Sequence, residues 1–337
     1  MEAETITIPD YSLPKTLIPF KDLSLKYSAL LTSLDTHNIH DFTSLSLQKD
    51  GEHLSLPIVF YYIFNKYSLL PASPKDLEVL GNFIFKIEEG YNNCPYHNSC
   101  HAADVLWNLH HFITAGDVIA KLNLKPIDLF SIFVSAACHD YKHPGTNNAY
   151  LIKIGSDLAT LYNDVSVLEN MHVSQSLSLI RDAKFNILMR FNEEEKKHVK
   201  KRMISLILDS DNAKHGLLIS AVNGWKGIDN AQLFESQQTI LSLLFHLCDI
   251  GHVCKLFDIT YEWAKRVYHE FYVQGNKEVE HRVSVTNQCE DKVNGKMQAG
   301  FIQSFFLGAF DALAAKLPSI SMFKEQVMQN INAFSKQ

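Results

Sequence analysis

In the middle of the chain, apolar residues recur three and four positions apart, the period of a helix packed on one face. Leu177, Ile180 and Ile187, with the long Lys184 stem among them, follow a candidate cap at Ser174, and Val199, Met203, Leu206 and Ile207 form a stripe within EEEKKHVKKRMISLIL. Acidic residues open that segment and basic ones follow, an order that suits the helix dipole. No proline occurs between Pro144 and Pro318, and Asn-Gly or Asp-Gly turn pairs are few, so helices are expected there instead of hairpins. Upstream, Leu23–Phe42 reads as a short helix plus turn and Leu54–Tyr67 as an aromatic-rich buried helix with proline in its first turn. Asp76–Tyr91 reads as a further helix, capped near Ser73 with Pro74 at its start. No repeat, low-complexity linker or composition step divides the chain. The expectation is an all-α fold: an extended arm over residues 1–20 and a single compact multi-helix domain over residues 21–337.

Composition narrows the function. The 337 residues are 46% hydrophobic, enough for a large core and too apolar for a disordered chain. With 31 Lys+Arg against 37 Asp+Glu the formal charge is −6, and no basic stretch offers a nucleic acid polymer a footprint. The N-terminus, MEAETITIPDYSLP, is acidic where a signal peptide needs a basic region. The apolar windows Thr239–Leu247 and Ala299–Leu317 are broken by His246 or by Gln303, Ser304 and Asp311, so no membrane span is expected. Six cysteines without a CxxC pair read as buried free thiols of a reducing compartment. A cytoplasmic location follows, with an anchor in a longer parent protein left open. Sixteen histidines are many for this length, and imidazole is the commonest metal ligand and acid–base group.

Three places organise them. In Tyr96-His97-Asn98-Ser99-Cys100-His101-Ala102-Ala103-Asp104, a helix would put His97, His101 and Asp104 on one face, either as working groups or as a solvated stripe. The apolar run Leu129–Cys138 ends in His139-Asp140, and the Pro144-Gly145 break lets both face one ion. Asp249 drops a carboxylate into the apolar run Leu243–Cys248, and carboxylates are rarely buried unpaired. His101, His139, Asp140 and Asp249 form a mixed nitrogen and oxygen donor set suited to Zn²⁺ or a similar ion. Asp140 can bridge to a harder Mg²⁺ or Mn²⁺, and two ions about 3.5–4 Å apart suit in-line phosphoester hydrolysis.

These motifs, with Tyr162–Asn170 and the HDYKHPG segment, resemble in order and separation those of the class I 3′,5′-cyclic nucleotide phosphodiesterases, over roughly Leu54–Phe310. The resemblance implies an all-helical catalytic domain of the HD-type phosphohydrolase kind, with two divalent ions, Zn²⁺ and Mg²⁺ or Mn²⁺. It implies His101, His139, Asp140 and Asp249 as metal ligands, and His97 as the general acid that protonates the departing 3′ oxygen, oriented by Glu270. A hydroxide bridging the metals would attack phosphorus. Glu169 and Asp211 would hold metal-bound waters and His143 would lie beside the bridging water. Gln298 would bond the purine edge and Phe301 and Val267 would clamp the base, with Tyr96 and His252 in the same pocket.

The chain departs from the common pattern at Lys142, where many relatives carry an acid, at Met171, where His is frequent, and at His252, where cAMP-selective relatives often carry Asn. The purine preference therefore leans only weakly to cAMP, with cGMP open. Two other readings stand beside hydrolysis of cyclic nucleotides: another HD-type metal phosphohydrolase, and a non-catalytic cyclic-nucleotide-binding relative. The expected partner is a small cyclic nucleotide, with the oligomeric state undetermined. His37, His40, His53, His198, His215, His269 and His281 are expected at the surface, and His172 and His246 in core hydrogen bonds.

Overall fold

The computed structural model describes residues 18–286 and 290–337, and among these every regular element is helical. Residues 1–17 of the expected arm, and Cys289, lie outside the described residues. The helices that build the site are α1 Ser55–Lys66, α2 Pro74–Gly90, α3 Ser99–Ala115, α4 Pro126–Cys138, α5 Val167–Leu179 and α6 Glu193–Asp209. They continue with α7 His215–Gly224, α8 Leu233–Asp249, α9 Phe257–Glu280, α10 Gly295–Phe301, α11 Leu307–Ala314 and α12 Lys324–Phe334.

Local chemistry sets several starts. The Ser73 hydroxyl accepts the Asp76 N–H and Pro74 occupies the first turn of α2, where its missing N–H is harmless. Asn192 and Glu195 satisfy each other's backbone N–H at the start of α6, a reciprocal cap. Ser174 is a correction: it lies inside α5, not at a cap, and the chain turns after Ile180, where the Asp182 carboxylate takes the Lys184 N–H. Asp is well suited to that turn, and it overrides the apolar spacing.

Helix α3 packs on α1, α4 and α8, α6 bridges α4 and α8, and α7 covers α8. The middles of α3 and α8 are buried on nearly all sides, as expected of helices enclosed by others. Trp107 of α3 stacks on Phe42 with ring centroids 4.2 Å apart. With their middles locked by packing, the N-terminus of α3 and the C-termini of α4 and α8 converge on one spot. Farther along, buried Arg202 of α6 reaches Asp128 of α4 at 3.1 Å and donates to Gln237 and Gln238 of α8 at 2.7 and 2.8 Å. His198, expected at the surface, donates to the same Asp128 at 2.7 Å. Burial raises the Asp128 carboxyl, but the His198 bond, the Lys125 N–H and the Arg202 charge outweigh it and hold it below its ordinary value.

Removing one partner of such a buried pair strands the other charge. Arg202→Met is expected to lower unfolding stability by about 3–5 kcal/mol, read in urea as a lower midpoint at unchanged slope; an unchanged midpoint would show the pair to be dispensable.

Candidate active site

The Asn98 side chain accepts the N–H groups of Cys100 and His101 and so starts α3 at Ser99. His97 therefore precedes the helix, which corrects the expectation that His97, His101 and Asp104 share a helical face. Asp104 turns elsewhere. It pairs with fully buried Lys255 at 3.3 Å, and Lys255 also donates to the Phe42 carbonyl at 3.0 Å, tying the turn after α8 to the chain before α1.

His101 in the first turn of α3, His139 and Asp140 just beyond α4, and Asp249 at the end of α8 meet at the point of convergence. His101 Nε2 lies 2.9 Å from Asp249 Oδ1 and 3.4 Å from Asp140 Oδ2. His139 Nε2 lies 3.2 Å from each of the same carboxylate atoms and 3.2 Å from His101 Nε2. One ligand atom from each residue falls within 4.8 Å of the others.

The tautomers sharpen this geometry. His139 Nδ1 donates to the Ala136 carbonyl at 2.9 Å, so in the neutral ring Nε2 carries a lone pair aimed at two carboxylate oxygens and another imidazole nitrogen. Lone pairs converging in a buried space repel unless a cation lies among them. The titration directions agree: burial lowers His139, yet Asp140 and Asp249 overcome it and push the imidazole well above its ordinary range. Burial raises Asp140 and Asp249, yet His139 and His101 hold both well below theirs. Orientation of a ligating His by a backbone carbonyl is what a metal centre requires. The donor set fits a divalent ion.

Beside it stands an acid–base pair. His97 Nδ1 hydrogen-bonds to Glu270 Oε1, while Glu270 Oε2 accepts the N–H groups of Tyr96 at 3.0 Å and His97 at 3.2 Å. Burial lowers His97, but the Glu270 carboxylate raises it to about 9. Burial raises Glu270, and His97 brings it down to about 2. The His97 side chain remains 28% exposed, so the ring is both held and reachable. His143 stacks on it with centroids 3.9 Å apart and planes 16° from parallel. Gly145 N–H donates to His143 Nδ1, which leaves the His143 Nε2–H free to donate.

Glu169 and Asp211 lie near each other on α5 and just after α6. Burial, then the Asp211 charge, raises Glu169 to about 7, and its carboxylate accepts from Asn148 at 2.9 Å. Asp211 accepts from Ser166 at 2.7 Å, and neither acid is hydrogen-bonded to the four clustered ligands. Tyr96 Oη meets His252 Nδ1 at 3.3 Å, and Val267 packs on the cluster of Tyr96, Cys100 and Trp263. Gln298 is buried on α10, whereas Phe301 is 38% exposed and stacks on Phe305, which stacks in turn on His215. A π-helical stretch, Ile302–Phe306, follows Phe301; such stretches often mark functional sites.

His172 was expected in a plain core hydrogen bond. Its Nδ1 donates to the Tyr141 carbonyl at 2.7 Å, and its Nε2 also lies 3.7 Å from Asp140 Oδ1, near His143. Its place one turn after Glu169 on α5 was the available signal.

A family model described as 3′5′-cyclic nucleotide phosphodiesterase matches residues 96–327. The chain is 31% identical over 291 residues to the Mus musculus dual specificity calcium/calmodulin-dependent 3′,5′-cyclic nucleotide phosphodiesterase 1C, covering 85% of this chain and 40% of that protein. It is 32% identical over 257 residues to the Drosophila melanogaster dual specificity calcium/calmodulin-dependent 3′,5′-cyclic nucleotide phosphodiesterase 1, covering 75% and 30%. The chain thus spans less than half the length of these curated relatives. Among solved structures, the phosphodiesterase domain of Salpingoeca rosetta rhodopsin phosphodiesterase is similar with a TM-score of 0.77 at 24% identity, covering 91% of this chain and 94% of that one. LmjPDEB1 in complex with IBMX is similar with a TM-score of 0.79 at 23% identity, covering 88% and 90%. No described helix is long and apolar enough to cross a membrane.

The donor set predicts a metal-linked stability. Zn²⁺ or Mn²⁺ added to the metal-stripped protein is expected to raise Tm by mass action, and Asp249→Ala or His139→Ala to abolish both the rise and the bound metal measured by elemental analysis. A shift that survives in both variants would place the ion elsewhere.

Proposed function

Because the chain belongs to the 3′,5′-cyclic nucleotide phosphodiesterase family, whose model spans residues 96–327, we propose that it hydrolyses 3′,5′-cyclic nucleotides to 5′-nucleoside monophosphates in cyclic nucleotide signalling in the cytoplasm. The observation that carries this reading is the buried four-donor cluster with an oriented histidine beside it, the His97 and His101 rings being 5.9 Å apart between centroids.

His101, His139, Asp140 and Asp249 would hold a zinc-type ion, and Asp140 would share a second, Mg²⁺ or Mn²⁺, whose waters His143, Glu169 and Asp211 would steady. Bound there, the two ions neutralise the phosphodiester and activate water at neutral pH. The remaining work belongs to the chain's own groups. An alkoxide leaves poorly without a proton. Glu270 engages His97 Nδ1, so Nε2–H is the donor left to protonate the 3′ oxygen. The same carboxylate takes the Tyr96 and His97 backbone N–H groups, which fixes the main chain under the acid as well as its ring.

For the base, Gln298 would bond the purine edge and Val267 and Phe301 would clamp its faces, with Tyr96 and His252 at the inner wall. The Tyr96 hydroxyl bound to His252 gives that wall a polar pair where cAMP-selective relatives often carry Asn. A Gln298 amide can present oxygen or nitrogen, so both purines fit, with cAMP favoured. The relatives named dual specificity support retaining both.

Side-by-side kinetics on cyclic AMP, cyclic GMP and an open-chain nucleotide phosphodiester test the reading. The cyclic substrates should turn over far faster, strong chelation should abolish turnover, and divalent ions should restore it. His97→Ala should retain its metal and lose about 10²–10⁴-fold in kcat. Preference for the open-chain ester, or full activity after thorough metal removal, would refute it.

A further inference from the structure

Helix α9 carries three buried polar residues one turn apart on a single face, Glu270, Gln274 and Glu278. Glu270 grips His97. Gln274, 2% exposed, grips the other side of the site: its Oε1 accepts the Asn147 N–H at 2.8 Å and its Nε2 donates to Asn147 Oδ1 at 3.2 Å. Gln274 Nε2 also donates to Glu278 Oε1 at 3.0 Å. Glu278 is fully buried and accepts the Thr286 N–H and hydroxyl, both at 2.8 Å. A carboxylate oxygen that takes the Gln274 Nε2–H turns the amide oxygen toward the Asn147 N–H, so Glu278 fixes the orientation of the Gln274 amide.

Asn147 closes the turn that begins after Asp140 and carries His143. The near end of that turn is held by Asn92 Nδ2 donating to the His143 carbonyl at 2.8 Å, and the far end by Gln274. Inside it, Gly145 has φ +70°, and a Cβ there would lie 3.2 Å from Cys94 Sγ and 3.9 Å from Glu270 Cδ, so the turn runs against the carboxylate that orients His97. Two rings stacked at 3.9 Å keep that relation only if their supports share a frame. One face of α9 supplies it, through Glu270 for His97 and Gln274 for the His143 turn.

We propose that Gln274, its amide oriented by Glu278, is a positioning residue that holds the His143 turn in register with His97. The proposal rests on the reading of His97 as the acid that protonates the leaving oxygen. Loss of the clamp then weakens leaving-group protonation while substrate binding and metal stay in place.

Substrates of unequal leaving group test it, with metal-loaded protein. On cyclic AMP, Gln274→Met should lower kcat about tenfold, as a small misplacement of a catalytic group does, with KM changed by less than about twofold. On bis(p-nitrophenyl) phosphate, whose leaving group needs no proton, the variant should match wild type. Gln274→Glu should be as impaired, because its carboxylate would face two acceptors, Glu278 Oε1 and the Asn147 Oδ1 that caps the Tyr150 N–H. Equal losses on both substrates, or no loss on either, would overturn the proposal. Crystal structures of the same variants give a reading independent of activity: the His97 and His143 rings should separate beyond 3.9 Å, and an unmoved stack would overturn the clamp. If wild type turns over neither substrate the functional reading fails, and the ring positions still decide whether Gln274 positions the pair.

Discussion

Two carboxylates and two imidazoles buried at one point are the constraint around which the molecule is organised. The His101 and His139 imidazoles each lie 2.9–3.4 Å from both Asp140 and Asp249; the rings are buried, the carboxylates keep only a small opening to solvent, and His139 has already committed its Nδ1 proton to a carbonyl. Such a cluster needs positive charge among its carboxylates, from a proton on His139 or from a metal ion. The surrounding fold holds the donors in place for it, through the packed middles of α3, α4 and α8. Their ends, where the backbone turns and adjacent residues can face the same point, present the ligands.

The acid beside the cluster is built on a different support. His97 lies ahead of α3 and is held from across the site by α9, through Glu270. The separation has a physical benefit: the groups proposed to bind cations and the group proposed to give a proton are anchored on different elements, so each can be oriented without displacing the other. Exposure divides the same way, with His139 wholly buried and His97 partly open to solvent. The protein is acidic overall, yet the place where an anionic nucleotide would sit has a histidine held above its ordinary range and donors that would hold positive ions.

Much of this was legible in the sequence. The proline-free tract and the spacing of apolar residues announced helices, and His-Asp at the end of a buried run, with Asp249 in another, announced the donors. What failed were inferences from spacing alone. The four-residue step from His97 to His101 looks helical, but the Asn98 side chain intercepts the first N–H groups and starts the helix later. Asp104, apparently in line with the ligands, answers a buried lysine 151 positions away in the chain, and no local pattern encodes such a pairing. Gln274, and the approach of His172 to Asp140 beyond its expected core hydrogen bond, were missed for a similar reason: they depend on which turn packs against their helix, and that is settled by tertiary contacts.

The central claim is that attack of water at phosphorus, beside the donors that would hold the ions, is joined to protonation of the 3′ oxygen by His97. Its most direct test is phosphorus NMR of the product formed from cyclic AMP in water enriched in heavy oxygen. The expected result is 5′-AMP as sole product, with one solvent oxygen on phosphorus. Formation of 3′-AMP, or cyclic AMP bound and recovered unchanged by the metal-loaded protein, would contradict it.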